Sequence, residues 1–194
     1  MMKRTIMKRT WITAVFFSLF CTVATAHPGH GLESAYAGLM HPLTGLDHLL
    51  VMVAIGLWAA KLGGLARWGL PLTFVLLMAV GAFFGANGLR VAGIETLIAA
   101  SVMTMGFLLA MHLPVNKVVQ FGLTAIFAFF HGLAHGLALQ SHAVWSALIA
   151  MVVATSLLHA LGYFIGVQRQ TLFAKAQQIF AYGMLIVGAY LFAG

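Results

Sequence analysis

Two groups of residues in this chain have types and spacings that could do chemistry. His41-Pro42-Leu43-Thr44-Gly45-Leu46-Asp47-His48 stands at the mouth of an apolar run, and His131-Gly132-Leu133-Ala134-His135 lies inside another far downstream. Imidazoles and carboxylates in segments this apolar cost free energy unless something binds them. Imidazole with one carboxylate is borderline ligation that suits Ni2+, Co2+ or Zn2+, whereas Mg2+ and Ca2+ want oxygen throughout. His131 and His135 are four residues apart, so a regular helix stacks them on one face, where they could share one divalent ion. His41 and His48 are seven apart, and a straight helix would hold them about 10 Å from each other. Pro42 and Gly45 offer a break that would bring His41 back over Asp47 and His48, as in ion sites built on discontinuous helices.

The elements that must carry these residues follow from composition. Apolar residues make up 62% of the chain and charged residues only 7%, against about 25% charged in an ordinary soluble domain. The sequence therefore reads as an all-α, polytopic membrane protein. Residues 1–26 have the form of a secretory signal peptide. Lys3, Arg4, Lys8 and Arg9 precede the apolar stretch 11–23, and Ala24-Thr25-Ala26 supplies a small-residue cleavage site. An uncleaved anchor helix is the alternative, although the apolar core is short for a span of about 20 residues. Ser18-Leu19-Phe20 ahead of Cys21 does not suit lipoprotein processing.

The remainder, 27–194, is expected to be one transmembrane domain of about six helices, on segments 45–60, 68–86, 92–112, 118–139, 143–167 and 171–192. The first is short and is expected to extend upstream through 32–40, with Pro42 and Gly45 marking a break. Gly81 with Gly85, Gly132 with Gly136, and Gly162 with Gly166 are read as small-residue pairs at close helix crossings.

Charge then orients the bundle. Loss of the leader removes the only cysteine and four of the ten basic residues, leaving six against three acids. Those six are scattered singly, so the high pI is no nucleic-acid footprint, and no thiolate site or disulfide remains. With His27 outside, the inner loops carry Lys61, Arg67, Lys117, Arg169 and Lys175 and the outer ones only Arg90, which agrees with the positive-inside rule. This topology sets His27, His30, Glu33, His41, Asp47, His48, Glu95, His131, His135 and His142 toward the outer side. His112 falls at the inner end of the third span and His159 inside the fifth.

On these residues the chain resembles the HupE/UreJ family of nickel and cobalt permeases. The resemblance rests on the His-x5-Asp-His signature at His41 to His48, on Phe130-His131-Gly132-Leu133-Ala134-His135-Gly136, on Glu95 opening the third span, and on Leu158-His159-Ala160 in the fifth. It implies uptake of Ni2+ or Co2+ across the inner membrane through a site drawing on His41, Asp47, His48, His131, His135, Glu95 and His159. The ion would be cargo, with no permanently bound cofactor and no catalysis. One departure is Ala138, at a position often acidic in the family. Partners implied are the divalent ion and the bilayer, with cytosolic metallochaperones or a second copy of the chain as further candidates.

Each residue also has a plainer reading. Asp47 could cap a helix N-terminus, Glu95 could pair with Arg90, His159 could be a hydrogen-bonded core residue, and Met52 reads as packing. At the expected mature N-terminus, the amine and ring of His27 with His30 suggest a loose metal collector. Pro28 lacks the amide a tight backbone clamp would need. Rival functions are a metal exporter or resistance protein and a haem-binding membrane protein. A His-Glu-x-x-His protease motif is absent, as is a nucleotide-binding loop.

Overall fold

A computed structural model describes residues 35–139, 144–168 and 170–193. The leader, His27, His30, Glu33, Gln140, His142 and Arg169 lie outside these residues. Among the described residues there are seven helices and no strand: α1 (Ala35–Thr44), α2 (Leu46–Leu62), α3 (Ala66–Ala86), α4 (Ile94–Met111), α5 (Lys117–Ala138), α6 (Val144–Gly166) and α7 (Thr171–Ala193). The last five are each long and apolar enough to cross a membrane. The pair α1 and α2 qualifies as a sixth, broken span, bent by 80°. The protein is thus a multi-pass membrane protein, with six spans, as its sequence predicts, when the bent pair counts as one.

The break falls at Gly45, whose backbone is extended (φ −78°, ψ 110°). Pro42 sits buried inside α1, so it is not the hinge. Polar backbone left over at a break inside apolar surroundings has to find partners. Here the Gly45 N–H donates to the His41 carbonyl (3.2 Å), and the Thr44 hydroxyl donates to the carbonyls of Met40 and His41 (3.2 Å each).

Helix α2 is buried on nearly every side, from Leu50 to Ala59 without interruption. Its sequence is apolar all round, which is the pattern of a central rather than a surface helix. Outward faces of other helices carry large apolar side chains one turn apart. These include Trp68, Leu72, Leu76 and Val80 on α3, and Trp145, Ile149, Val153 and Leu157 on α6. Such stripes belong against hydrocarbon.

Glycine sets the crossings. Gly81 and Gly85 on α3 face Gly132 and Gly136 on α5 so closely that a Cβ on Gly132 would collide with the Met78 carbonyl, and one on Gly136 with that of Ala82. Helices α2 and α6 meet in the same way, with Gly56 against His159 and Gly162 against Val53. Contact positions rise together along both members in each of these pairs, so each pair runs parallel. Gly106 on α4 packs on Met184 and Leu185 of α7, and Gly188 on Met103, an antiparallel pair. The three glycine pairs expected from sequence all lie at helix crossings.

Candidate metal site

The break in the first span turns His41 back toward His48. Their ring centroids are 5.7 Å apart, much closer than a straight helix would allow. His135, on α5, completes a triangle: its ring lies 4.8 Å from His41 and 4.4 Å from His48. One ligand nitrogen from each of the three lies within 4.8 Å of the others, close enough for small rotamer changes to gather them on one divalent ion. His48 and His135 are buried, while His41 is partly exposed beside the break. The cluster thus has one partly open edge.

Asp47 acts on His48 directly. Its Oδ1 accepts from the His48 backbone N–H (2.8 Å) and from ring Nδ1 (2.7 Å). Because a carboxylate only accepts, Nδ1 carries a proton, and in the neutral ring Nε2 keeps its lone pair. That Nε2 is buried without a hydrogen-bond partner. The first bond satisfies a free donor in the first turn of α2, whose N-cap Gly45 has no side chain to do so. Helix capping and ligand orientation therefore coexist in one carboxylate, and the second follows the carboxylate–histidine arrangement common around metals. A Cβ on Gly45 would stand 3.1 Å from Asp47 Oδ1 and 3.3 Å from His48 Nδ1. Its backbone angles suit any residue, so the tight space beside Asp47 and His48 is what favours glycine here.

His131 lies one turn back along α5 from His135. Its Nδ1–H donates to the Phe127 carbonyl (2.8 Å), leaving a buried Nε2 without a hydrogen-bond partner. The ring is 5.0 Å from His48. His131 and His135 do share a face, yet only His135 joins the triangle with His41 and His48. His131 forms the next step below it.

Phe74 on α3 comes next, 5.8 Å from His131 and 5.0 Å from His159. Fully buried Phe74 thus joins the histidine cluster to His159, whose two ring nitrogens are buried without hydrogen-bond partners. A phenylalanine within an apolar segment carries no sequence signal for such a position. Glu95 is exposed in the first turn of α4, outside the cluster and without an ion pair to Arg90. The third span therefore adds no ligand to the triangle. Ala138 packs with Leu139, Ala147 and Met151 in a small apolar cluster, while Gln140 and His142 lie outside the described residues. His112 caps the far end of α4, where its Nε2 lies 3.3 Å from Lys61 Nζ.

A family model described as HupE / UreJ protein matches residues 15–191. The chain is also similar to "Protein HupE" of Rhizobium leguminosarum bv. viciae, at 37% identity over 194 residues, which covers 97% of this chain and 100% of that protein. No solved structure matches the chain.

Proposed function

The chain belongs to the HupE/UreJ family, and from that membership we propose that it is a secondary permease that moves Ni2+ or Co2+ inward across the inner membrane. The observation that carries this reading is the convergence of His41, His48 and His135 at a break in the first span. Three imidazoles there could replace part of the ion's hydration shell inside an apolar bundle, and Asp47 supplies a compensating negative charge.

The ion would enter at the partly exposed His41, be held by His48 and His135, and pass to His131. Asp47 fixes the tautomer that offers His48 Nε2 to the metal. A divalent cation moving down an inside-negative potential of 100 mV gains roughly 4.6 kcal/mol, about three decades of accumulation. A carrier that only strips and rebinds the ion needs no further energy source. Residues 1–26 serve in this reading as a cleaved leader, with His27 and His30 collecting ions at a periplasmic N-terminus. Cytosolic metallochaperones would take the ion on the far side.

Radiolabelled Ni2+ and Co2+ uptake into proteoliposomes, with and without an inside-negative potential, tests the proposal. Uptake driven by the potential and lost in Asp47→Ala is the expected result. Equal fluxes in the intact chain, the variant and empty liposomes would overturn it. An export role predicts flux in the opposite sense, and a haem role predicts a Soret band in the purified protein.

A further inference from the structure

Below the histidine triangle the interior changes chemistry. Met52 lies one turn beyond His48 on α2, Met78 one turn beyond Phe74 on α3, and Thr155 one turn before His159 on α6. All three are fully buried or nearly so. The Thr155 hydroxyl reaches the sulfur of Met52 at 3.3 Å and that of Met78 at 3.6 Å, so two thioethers from different helices converge on one oxygen.

The behaviour of other hydroxyls shows that this is not the default. Ser101, Thr124 and Ser156 each turn back to a carbonyl of their own helix, at Ile98, Gln120 and Val152. That local bond is the ordinary solution for a hydroxyl on an apolar helix. Thr155 instead reaches across two crossings to a pair of weak acceptors.

The layer also lies at the right level. Gly132 packs on the Met78 backbone, which sets its neighbour His131 at the height of the sulfurs. Gly56 packs against His159, one turn below Met52 and Thr155. Two buried imidazoles with nitrogens lacking hydrogen-bond partners therefore border the sulfur layer, His131 at its own level and His159 one turn below.

We propose that Met52, Met78 and Thr155, set between His131 and His159, form a second, softer cation station through which the ion leaves the histidine triangle. This rests on the import reading and deepens it toward selectivity. Thioether sulfur is a softer donor than imidazole or carboxylate and discriminates against Mg2+ and Ca2+, which demand oxygen, more sharply than against borderline Ni2+ and Co2+. A hard ion that reached the triangle would find no acceptable next step, whereas a borderline ion would exchange nitrogen for sulfur and then for the nitrogens of His159.

The experiment uses the full chain carrying Cys21→Ser, so that methionine is its only sulfur. The Met52→Leu/Met78→Leu double variant keeps side-chain volume, a class of swap that cores tolerate well. Its maximal Ni2+ uptake should fall by about tenfold or more, the scale for loss of a metal-supporting group, while half-saturation, set at the triangle, stays near that of the parent. Nickel K-edge X-ray absorption of the loaded parent should show a sulfur scatterer beside nitrogen. This second readout needs no methionine variant to fold.

Wild-type uptake in the double variant, or a nickel environment of nitrogen and oxygen alone in a parent that transports, would overturn the sulfur station and leave the histidine triangle standing. A parent that neither binds nor transports nickel would overturn the import reading, and this station with it.

Discussion

The α3·α5 and α4·α7 crossings use the same packing device and hold different contents. In both, glycines let backbones approach until a single added methyl group would strike a neighbour: Gly132 against Met78 in one, Gly106 against Met184 and Leu185 in the other. In α5 each crossing glycine directly follows a histidine, His131-Gly132 and His135-Gly136, and both rings are fully buried. Around Gly106 and Gly188 the buried side chains are mostly apolar, including Val102, Met105 and Met184, and neither α4 nor α7 buries a histidine. Close packing is therefore a general means of holding helices together where lipid removes the usual hydrophobic drive. At the α3·α5 crossing the same packing also fixes imidazoles against the broken first span.

Removing the imidazoles themselves should break the comparison most strongly. His48→Ala and His131→Ala are each expected to cut Ni2+ uptake by about a hundredfold, the upper end of the effect of a lost metal-supporting group, with protein still inserted in the membrane. Flux at the parent rate in both variants would remove the cluster from the pathway.

Glycine substitutions sharpen the contrast between packing and chemistry. Gly132→Ala drives a Cβ into the Met78 carbonyl, so the helices must part and His131 must shift. It should cost both stability and uptake per molecule. Gly106→Ala meets the Leu185 amide and the Met184 side chain and should lower stability by about 1–3 kcal/mol, typical of overpacking, with uptake per folded molecule retained. Gly122→Ala, on the same helix as the histidines, meets nothing within 4 Å and should stabilise by up to about 1 kcal/mol through helix propensity. Thermal unfolding in detergent, read beside uptake normalised to folded protein, separates the three. Equal losses of specific uptake at Gly106 and Gly132 would show that the two crossings are not functionally distinct.

A smaller effect is expected at the carboxylate. Asp47→Asn keeps the shape but weakens acceptance of the His48 Nδ1 proton, which should cost about 10- to 100-fold in nickel affinity. Direct binding measurements on the purified protein would show it. Unchanged affinity would assign Asp47 to capping the first turn of α2 alone.

Much of this arrangement was legible in the sequence, for identifiable reasons. Six spans follow from apolar segment lengths, and the glycine crossings from spacing. The folding back of His41 onto His48 follows from a helix breaker between two histidines that a straight helix would hold apart. What sequence could not place was anything that depends on which helices are neighbours. His131 and His135 look equivalent at i and i+4, and only the position of the broken span decides that His135 meets His41 while His131 does not. Pro42 and Gly45 both read as breakers, and only the structure shows that Pro42 stays inside α1 while the chain bends at Gly45. Phe74 and Thr155 carry no signal until α3 and α6 are seen against α2. Glu95 drew notice as a rare acid in an apolar chain, and the packing of α4 leaves it exposed.

The smallest effect should come at the opposite end of the bundle. His112 closes α4 in the left-handed region (φ 50°, ψ 39°), where it alone among the described residues is neither glycine nor within the ordinary basins. A side chain there costs about 1–2 kcal/mol relative to glycine, and helices commonly end on glycine for this reason. The ring recovers part of that through contacts with Lys61 Nζ (3.3 Å) and the Ala110 carbonyl (3.2 Å), but it is exposed and such contacts contribute little net stability in water. His112→Gly should therefore raise stability by up to about 1 kcal/mol, visible as a higher midpoint in thermal unfolding, and leave Ni2+ uptake unchanged. A histidine whose removal stabilises the fold and spares transport would mark the contrast with His48, where removal spares the fold and stops transport. If uptake fell instead, the strained backbone would be serving release of the ion at that end, and the chemistry would extend beyond the broken span and α5.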